Sequence, residues 1–333
     1  MPTPQIDTRL KMLSNSSSML LHTCPRKYQL IKLCGAEREQ SMHLSFGSAF
    51  GEGLQQLLSG ATLQAAVISA VLQWDMDIFA EDFLDKTLWK CIAALESFHY
   101  RLHSPIAAIL EANDNYDLDE LTPNLIGEYE VAYINGKPAC EVGFAIELPN
   151  GFVYRGYVDI IMRHKATSKY LVVDIKSTIS NSSNNAKFQN SPQALGYSIV
   201  LDAVAHGQSE FSVLYYEYMT TVKKYVSHYF TLGNLSRAKW LHNLVMDMKS
   251  VELYQANGDD YPSHGESCVS FQRTCPFIDT CGISIGSMLG EAWQPDTRPW
   301  KELEAETARK TGKHIDVYVT LDELIARQLE VLE

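Results

Sequence analysis

Residues 152–178, FVYRGYVDIIMRHKATSKYLVVDIKST, constrain this chain more than any other stretch. Two apolar runs, Phe152 to Met162 and Tyr170 to Ile175, flank a polar stretch holding His164, Lys165, Thr167, Ser168 and Lys169, which is the pattern of a β-hairpin. Each run carries one acid deep inside it, Asp159 in GYVDII and Asp174 in LVVDIK, where strand packing gives no reason for a carboxylate. Alternation along a strand puts Asp174 and Lys176 on one face and turns Ile175 to the other. A hairpin of this kind can bring two acids and a lysine together.

Two carboxylates concentrate oxygen ligands and negative charge, which suits a hard divalent cation such as Mg2+ or Mn2+. Such a cation polarises a phosphate and acidifies a water, while a nearby lysine steadies the developing charge. Asp-Ile-Lys alone equally fits an exposed, salt-bridged strand. The second acid inside the other run is what favours a site.

The chain of 333 residues is long enough for one large or two ordinary domains, and 46% hydrophobic with 20% charged residues describes a globular protein. No apolar run approaches the ~20 residues of a membrane span, and the first ten residues lack a signal-peptide pattern, so no membrane association and a cytoplasmic location are expected. A net charge of −12 argues against a basic surface that coats nucleic acid, though not against an enzyme with a local basic groove. The small clusters Arg26, Lys27, Lys32 and Lys223, Lys224 read as solvated surface.

Periodicity predicts helices after a Ser16 to Ser18 cap with a break at Pro25, over Phe46 to Leu58, Ala61 to Trp74 and Phe83 to Leu102, then a polar loop over Asn113 to Asn124. From Ile126 the period changes to strands: IGEYEVAYI, ACEVGFAIEL and the two hairpin runs, read as an antiparallel meander. A polar loop at residues 180–190, a helix from Pro192 to Ala205, two strands (FSVLYYEYMT and KKYVSHYFTL) and a helix from Leu235 to Tyr254 follow. The tail ends in a helix opened by the capping box Thr320-Leu-Asp-Glu323, with Leu321, Leu324, Ile325, Leu329 and Val331 on its apolar positions. Strands, helix and strands between helical ends give an α/β (α+β) chain with a central mixed sheet flanked by helices.

The seven cysteines, with no signal peptide, point to thiol or metal chemistry more than to disulfides. Three of them, Cys268-x6-Cys275-x5-Cys281, crowd together and ask for a fourth ligand. Soft thiolates select zinc or an iron-sulfur cluster. The C-x2-C pairs of zinc ribbons are missing, and the wider gaps favour iron-sulfur, with zinc as the alternative. None of the ten histidines stands in a triad or metal spacing, and no G-x-S-x-G or Walker motif occurs.

The Cys24 segment SSSMLLHTCPRKYQL, the DIK tripeptide, the downstream QALGY and the cysteine triplet together resemble the PD-(D/E)XK nucleases, in particular the RecB-like branch with a four-cysteine 4Fe-4S cluster, to which the AddB nuclease domain and CRISPR-adaptation exonucleases belong. The resemblance runs from about Ser16 to Cys281. It implies the restriction-endonuclease-like fold with a helical block inserted before the core, and Cys24, Cys268, Cys275 and Cys281 as cluster ligands. Cys34 competes as fourth ligand but lacks the CP-x-x-Y context. It further implies that Asp159, Asp174 and the Ile175 carbonyl hold Mg2+ or Mn2+, that Lys176 is the catalytic lysine, and that Gln193 and Tyr197, one turn apart on a helix, brace it and touch DNA.

The departure from that pattern is at Gly51, in FGSAFGEG, where many members carry a histidine that contributes to the metal site. Glu52 or Gln55 could substitute, and Glu141 could add an acid from a neighbouring strand, although an exposed strand residue is the plainer reading of Glu141. The expected segments are 1–45 with the first cluster cysteine, 46–124 helical, 125–262 nuclease core, 263–285 cluster segment and 286–333 tail. The expected function is a metal-dependent exonuclease of phage or bacterial type, acting on DNA with a single-stranded end in recombination or repair, alongside a helicase or recombination partner. The alternative is a catalytically weak nuclease-fold module that binds DNA ends.

Overall fold

The structure, a computed structural model, describes residues 5–35, 42–75, 86–103, 125, 127–183, 185–189, 191–205, 211–258, 260–270, 273–290 and 292–330. In chain order the main elements are β1 (Met12–Leu13), α1 (Asn15–Thr23), α2 (Pro25–Leu30), α3 (Met42–Leu58), α4 (Leu63–Gln73), α5 (Leu88–His103), β2 (Tyr129–Val131), β3 (Cys140–Glu147), β4 (Val153–His164), β5 (Tyr170–Thr178), α6 (Pro192–Val204), β6 (Phe211–Met219), β7 (Lys224–Leu232), α7 (Asn234–Ala256), α8 (Trp300–Thr311), β8 (Val317–Thr320) and α9 (Leu321–Glu330). The strands form a mixed sheet in the order β8-β3-β4-β5-β6-β7, with β1 and β2 also paired to β4. This is the expected α/β class, but the four runs read as a meander depart from it at β2, which pairs antiparallel with β4 rather than with the next strand, β3. β5 and β6 run parallel, joined through α6, while β4 with β5 and β6 with β7 are antiparallel.

The chain divides into two units. One holds Met1–Arg38, Gly143–Tyr157 and Leu235–Glu333. Its local order follows the sequence closely: α1 ends at Thr23 and α2 restarts on Pro25, whose missing N–H costs nothing in a first turn. The N-cap of α1 is Ser14, in a capping box with Ser17, two residues before the expected Ser16 to Ser18 stretch. In the tail, helix α8 and strand β8 were not legible from periodicity. β8 pairs parallel to β3, and Thr320 and Glu323 form the expected capping box, each accepting the other's backbone N–H at 3.2 and 2.8 Å. Leu321 and Leu324 are buried but Ile325 is exposed; the Leu329 side chain and Val331 lie outside the described residues.

Gly143 on β3 fixes that edge. Its N–H donates to Asp316 Oδ2 at 3.0 Å and its carbonyl accepts from the Asp316 N–H at 2.7 Å. A Cβ there would sit 1.9 Å from the His314 carbonyl oxygen. Backbone cannot yield as a side-chain tip can, so Gly143→Ala is expected to cost about 1–3 kcal/mol, read as a lower urea midpoint.

The other unit holds Glu39–Val142 and Val158–Asn234. Helix α3 turns Phe46, Ala49, Phe50, Leu54 and Leu57 to one side at three- and four-residue spacing, and α5 does the same with Cys91, Ala94, Leu95 and Phe98. Both faces bury against Ile160, Met162, Leu171, Val173, Leu214, Tyr216 and Tyr218, one set of alternate residues on β4, β5 and β6. The opposite alternation therefore decides what the other face of these strands displays, and there lie Asp159, Asp174 and Lys176. The polar segment at residues 180–190 contains a short helix, Ala186–Gln189, that low hydrophobicity had hidden; it is anchored by buried Phe188. The predicted loop over Asn113 to Asn124 lies outside the described residues. Among the described residues no helix is long and apolar enough to cross a membrane.

Candidate active site

The hairpin pairs Ile160 with Val173 and Ile161 with Val172, and the same antiparallel register continued by one residue sets Asp159 opposite Asp174. Directly opposed side chains on one face are within contact range. Asp159 Oδ2 accepts the Ile175 N–H at 3.0 Å. Asp174 is 0% exposed, and among the described residues its Oδ1 finds no hydrogen-bond donor. Burial raises Asp159 to about 7, and the Asp174 charge adds to this; Lys176 and the Ile175 N–H oppose it. Burial likewise raises Asp174, against the pull of Lys176.

Lys176 Nζ stands 2.6 Å from Asp174 Oδ2, with its side chain 34% exposed. An exposed surface pair is therefore excluded by the full burial of Asp174, since a buried charge persists only with a partner. Burial pulls the Lys176 amine down, but Asp174 and Asp159 outweigh it and hold the amine above its ordinary value. Two acids against one cation leave a surplus of negative charge on this face.

Helix α6 opens with Pro192 at its first position, which places Gln193 and Tyr197 on one side of the helix. Lys176 Nζ donates to Gln193 Oε1 at 3.3 Å, and Gln193 Nε2 donates to Tyr197 Oη at 2.5 Å. All five residues read from the sequence, Asp159, Asp174, Lys176, Gln193 and Tyr197, thus fall in one chain of contacts. Tyr215 was missed. The parallel register of β5 and β6 sets it beside Asp174, and its ring lies 6.0 Å from the Lys176 amine. Burial first, then the Asp174 charge, pushes the Tyr215 phenol up to about 12. Only the β5–β6 register could have revealed it.

Around Gly51 the space is open: a Cβ there would meet nothing within 4 Å. Glu52 accepts from Gln56 Nε2 at 2.9 Å, along its own helix. Gln55 is buried and donates to Glu141 Oε1 at 3.1 Å. Glu141 is held at φ 51°, a left-handed backbone unusual for a strand residue, and its charge reaches Asp159. The plain exposed-strand reading of Glu141 does not hold; it is a third acid near the pair, with Gln55 as its donor.

A divalent cation fits Asp159 and Asp174 in donor type, in the surplus of negative charge and in the unbonded Asp174 Oδ1. The Ile175 carbonyl lies on the same strand, between the second acid and the lysine.

In the other unit, Cys24, Cys268, Cys275 and Cys281 line one cavity of about 70 Å³, and Cys34 does not. Cys24 has the extended backbone between α1 and α2. Burial pushes its thiol up, but the N–H groups of His264, Lys27 and Arg26 and the Ser267 hydroxyl more than offset this, so its pKa is lowered. Burial and the neighbouring thiols Cys24, Cys268 and Cys275 raise Cys281. Arg26, expected on the surface, is instead 2% exposed; it donates to the Cys281 carbonyl at 3.3 Å, to the Ile283 carbonyl and to Asp260 Oδ1 at 2.8 Å. The thiols converge, yet among the described residues no three Cys, His, Asp or Glu side chains are arranged to hold a metal ion.

A family model described as the PD-(D/E)XK nuclease superfamily matches residues 12–282. Among solved structures, a "Putative exonuclease" from Eubacterium rectale is 14% identical over 78% of this chain and 86% of its own, with a TM-score of 0.45. The structure of SSO0001 is 12% identical over 71% of this chain and 76% of its own, with a TM-score of 0.27. No curated protein matches the chain. The family match covers well over half of the residues and includes the hairpin, Gln193, Tyr197 and all four clustered cysteines; the chain belongs to the PD-(D/E)XK nuclease superfamily.

Proposed function

We propose that the chain is a Mg2+- or Mn2+-dependent DNA exonuclease that hydrolyses phosphodiester bonds at DNA ends in recombination or repair. The observation that carries this reading is the buried Asp174, with one oxygen unbonded and the other against Lys176, on the strand face it shares with Asp159. Asp159, Asp174 and the Ile175 carbonyl would hold the cation. When bound, that ion supplies Lewis acidity at a phosphate oxygen and lowers the pKa of water.

The rest of the work falls to the chain's own side chains. Lys176, held above its ordinary pKa, stays protonated, so it acts as a donor to the attacking water oxygen and the charge gathering on phosphate, not as a base. Water oxygen bonds to phosphorus and the bond to the leaving sugar oxygen breaks; of the two water protons one passes to solvent, and the leaving oxygen takes up one in its place from solvent to depart as a hydroxyl. Gln193 holds the lysine amine through its carbonyl, and Tyr197 holds the Gln193 amide in the orientation that leaves that carbonyl facing Lys176. Gln55 holds Glu141, whose charge reaches Asp159, and this pair would stand in for the histidine that position 51 lacks. A single-stranded end, opened by a helicase or recombination partner, is the proposed substrate form.

The test is digestion of linear against covalently closed circular DNA in Mn2+. Loss of the linear species alone supports an exonuclease. Binding of linear DNA with no digestion of either would replace this reading with the end-binding module that the missing histidine suggests.

The same reading gives Cys24, Cys268, Cys275 and Cys281 a structural 4Fe-4S cluster, supported by their shared cavity and by the lowered pKa of Cys24. Anaerobically purified protein is then expected to be brown and iron-containing, and Cys24→Ser to lose both colour and iron. Colourless protein with stoichiometric zinc would assign a zinc site instead.

A further inference from the structure

Another cavity, of about 260 Å³, lies within the unit formed by Met1–Arg38, Gly143–Tyr157 and Leu235–Glu333, and its wall joins Arg9, Lys32, Arg155, Lys310, Glu306 and Thr307 to the apolar Met12, Ile31 and Leu303. The four cations come from four separate segments: Arg9 ahead of β1, Lys32 after α2, Arg155 on β4 and Lys310 in the last turn of α8. They are not one solvated helix face. In a chain of net charge −12, four converging cations need a reason.

Lys32 is the informative member. Sequence alone placed it on the surface; instead its amine stands 5.8 Å over the Tyr28 ring and donates to the Met12 carbonyl oxygen. Burial, and then the Arg155 guanidinium, pull the amine down to about 7. A partly buried amine facing another cation is unfavourable on both counts, and an anion between them would remove the conflict. Arg9 is fixed by Asp7, with Nε at 2.9 Å from Oδ1 and Nη2 at 2.8 Å from Oδ2. Arg155 is fixed by Glu304 through Nη1. Glu306, the acid on the cavity wall, is engaged by Arg298 at 2.6 Å.

We propose that Arg9, Lys32, Arg155 and Lys310 form a phosphate-binding pocket, filled by a phosphate group of a nucleic-acid strand or of a free nucleotide. Guanidinium forks and a lysine point charge are the two donor types that suit phosphate oxygens. The volume lies below the roughly 300–1,000 Å³ of drug-sized ligand sites, so it admits a phosphate with its sugar and little more. The inference rests on this cavity alone and not on the nuclease centre.

The test uses the full chain in EDTA, which prevents cleavage, with two probes: a fluorescein-labelled single-stranded oligonucleotide read by anisotropy, and inorganic phosphate read by thermal shift. The variants are Lys310→Glu, at an exposed position, and Lys32→Met, which keeps the stem and removes the charge. Lys249→Glu, exposed on α7 and outside the cavity wall, makes the same charge change as a control. If the source is a strand, each pocket variant weakens oligonucleotide binding about tenfold and lowers the salt slope, by about one for Lys32→Met, while Lys249→Glu stays within about twofold. If the source is a free nucleotide, phosphate raises the melting temperature of the unaltered chain but not of the pocket variants, with oligonucleotide binding unchanged. Folded Lys310→Glu protein that matches the unaltered chain with both probes overturns the proposal, even if Lys32→Met fails to fold. That outcome leaves the reading of Asp174 and Lys176 intact, because DNA digestion in Mn2+ is scored separately.

Discussion

Lys176→Ala is expected to lower the rate of DNA hydrolysis by roughly 10³-fold, the scale of losing a preorganised donor at the charge that develops in the transition state. The amine sits between Asp174 and Gln193, at 2.6 and 3.3 Å, and the two acids outweigh the effect of burial and leave it protonated. Among the described residues, Lys176 is the cation that acts on both Asp159 and Asp174. Alanine also leaves Asp174 buried without its cation, so the melting temperature must be measured alongside the rate. Lys176→Arg keeps the charge but not the compact reach of the ammonium, and should recover only part of the rate. Gln193→Ala acts through Lys176 and should cost far less, about tenfold, with KM nearly unchanged. Equal losses for Gln193→Ala and Lys176→Ala would contradict the assignment of Gln193 as a positioning residue.

The second large effect is on stability. Asp159 is raised from an ordinary carboxylate value to about 7 by burial and by Asp174. A folded-state pKa above the unfolded one means that the contribution is fully present below pH ~4 and is lost as pH rises through about 7. The metal-free protein should therefore melt lower at pH 8 than at pH 5 as far as this group is concerned. Asp159→Asn, which keeps an acceptor for the Ile175 N–H, should raise the metal-free melting temperature at pH 8. A divalent cation should do the same for the unaltered chain: at a hundredfold excess over its dissociation constant the gain is about 2.7 kcal/mol. Asp159→Asn should abolish most of that gain. A variant that melts lower than the unaltered chain in EDTA at pH 8, and still responds fully to Mg2+, would show that Asp159 is an ordinary structural acid.

Local patterns made much of this legible. The hairpin, the Pro192 start of α6, the Thr320 capping box and the break at Pro25 each depend on a few adjacent residues, and each is where the sequence puts it. The order GYVDII, LVVDIK, QALGY carried the site for the same reason, since a hairpin followed by a helix leaves few ways to arrange Asp159, Asp174, Lys176 and Gln193. Long-range pairing was not legible. The parallel β5–β6 register that seats Tyr215 by Lys176, the tail strand β8 against β3 and the bonding of Gln55 to Glu141 all join residues far apart in the chain. Burial of charge was misjudged too: Arg26 and Lys32 look like surface basics in sequence, but the first ties down the Cys281 segment and the second lines a cavity. Such roles show only when the partner segments are in place.

The most direct measurement is release of nucleotides from end-labelled linear DNA by the unaltered chain and by Asp174→Ala, each with Mn2+ and with EDTA. The account predicts digestion by the unaltered chain in Mn2+ alone and none by Asp174→Ala under either condition. Digestion by Asp174→Ala at the rate of the unaltered chain, or digestion that persists in EDTA, would contradict it.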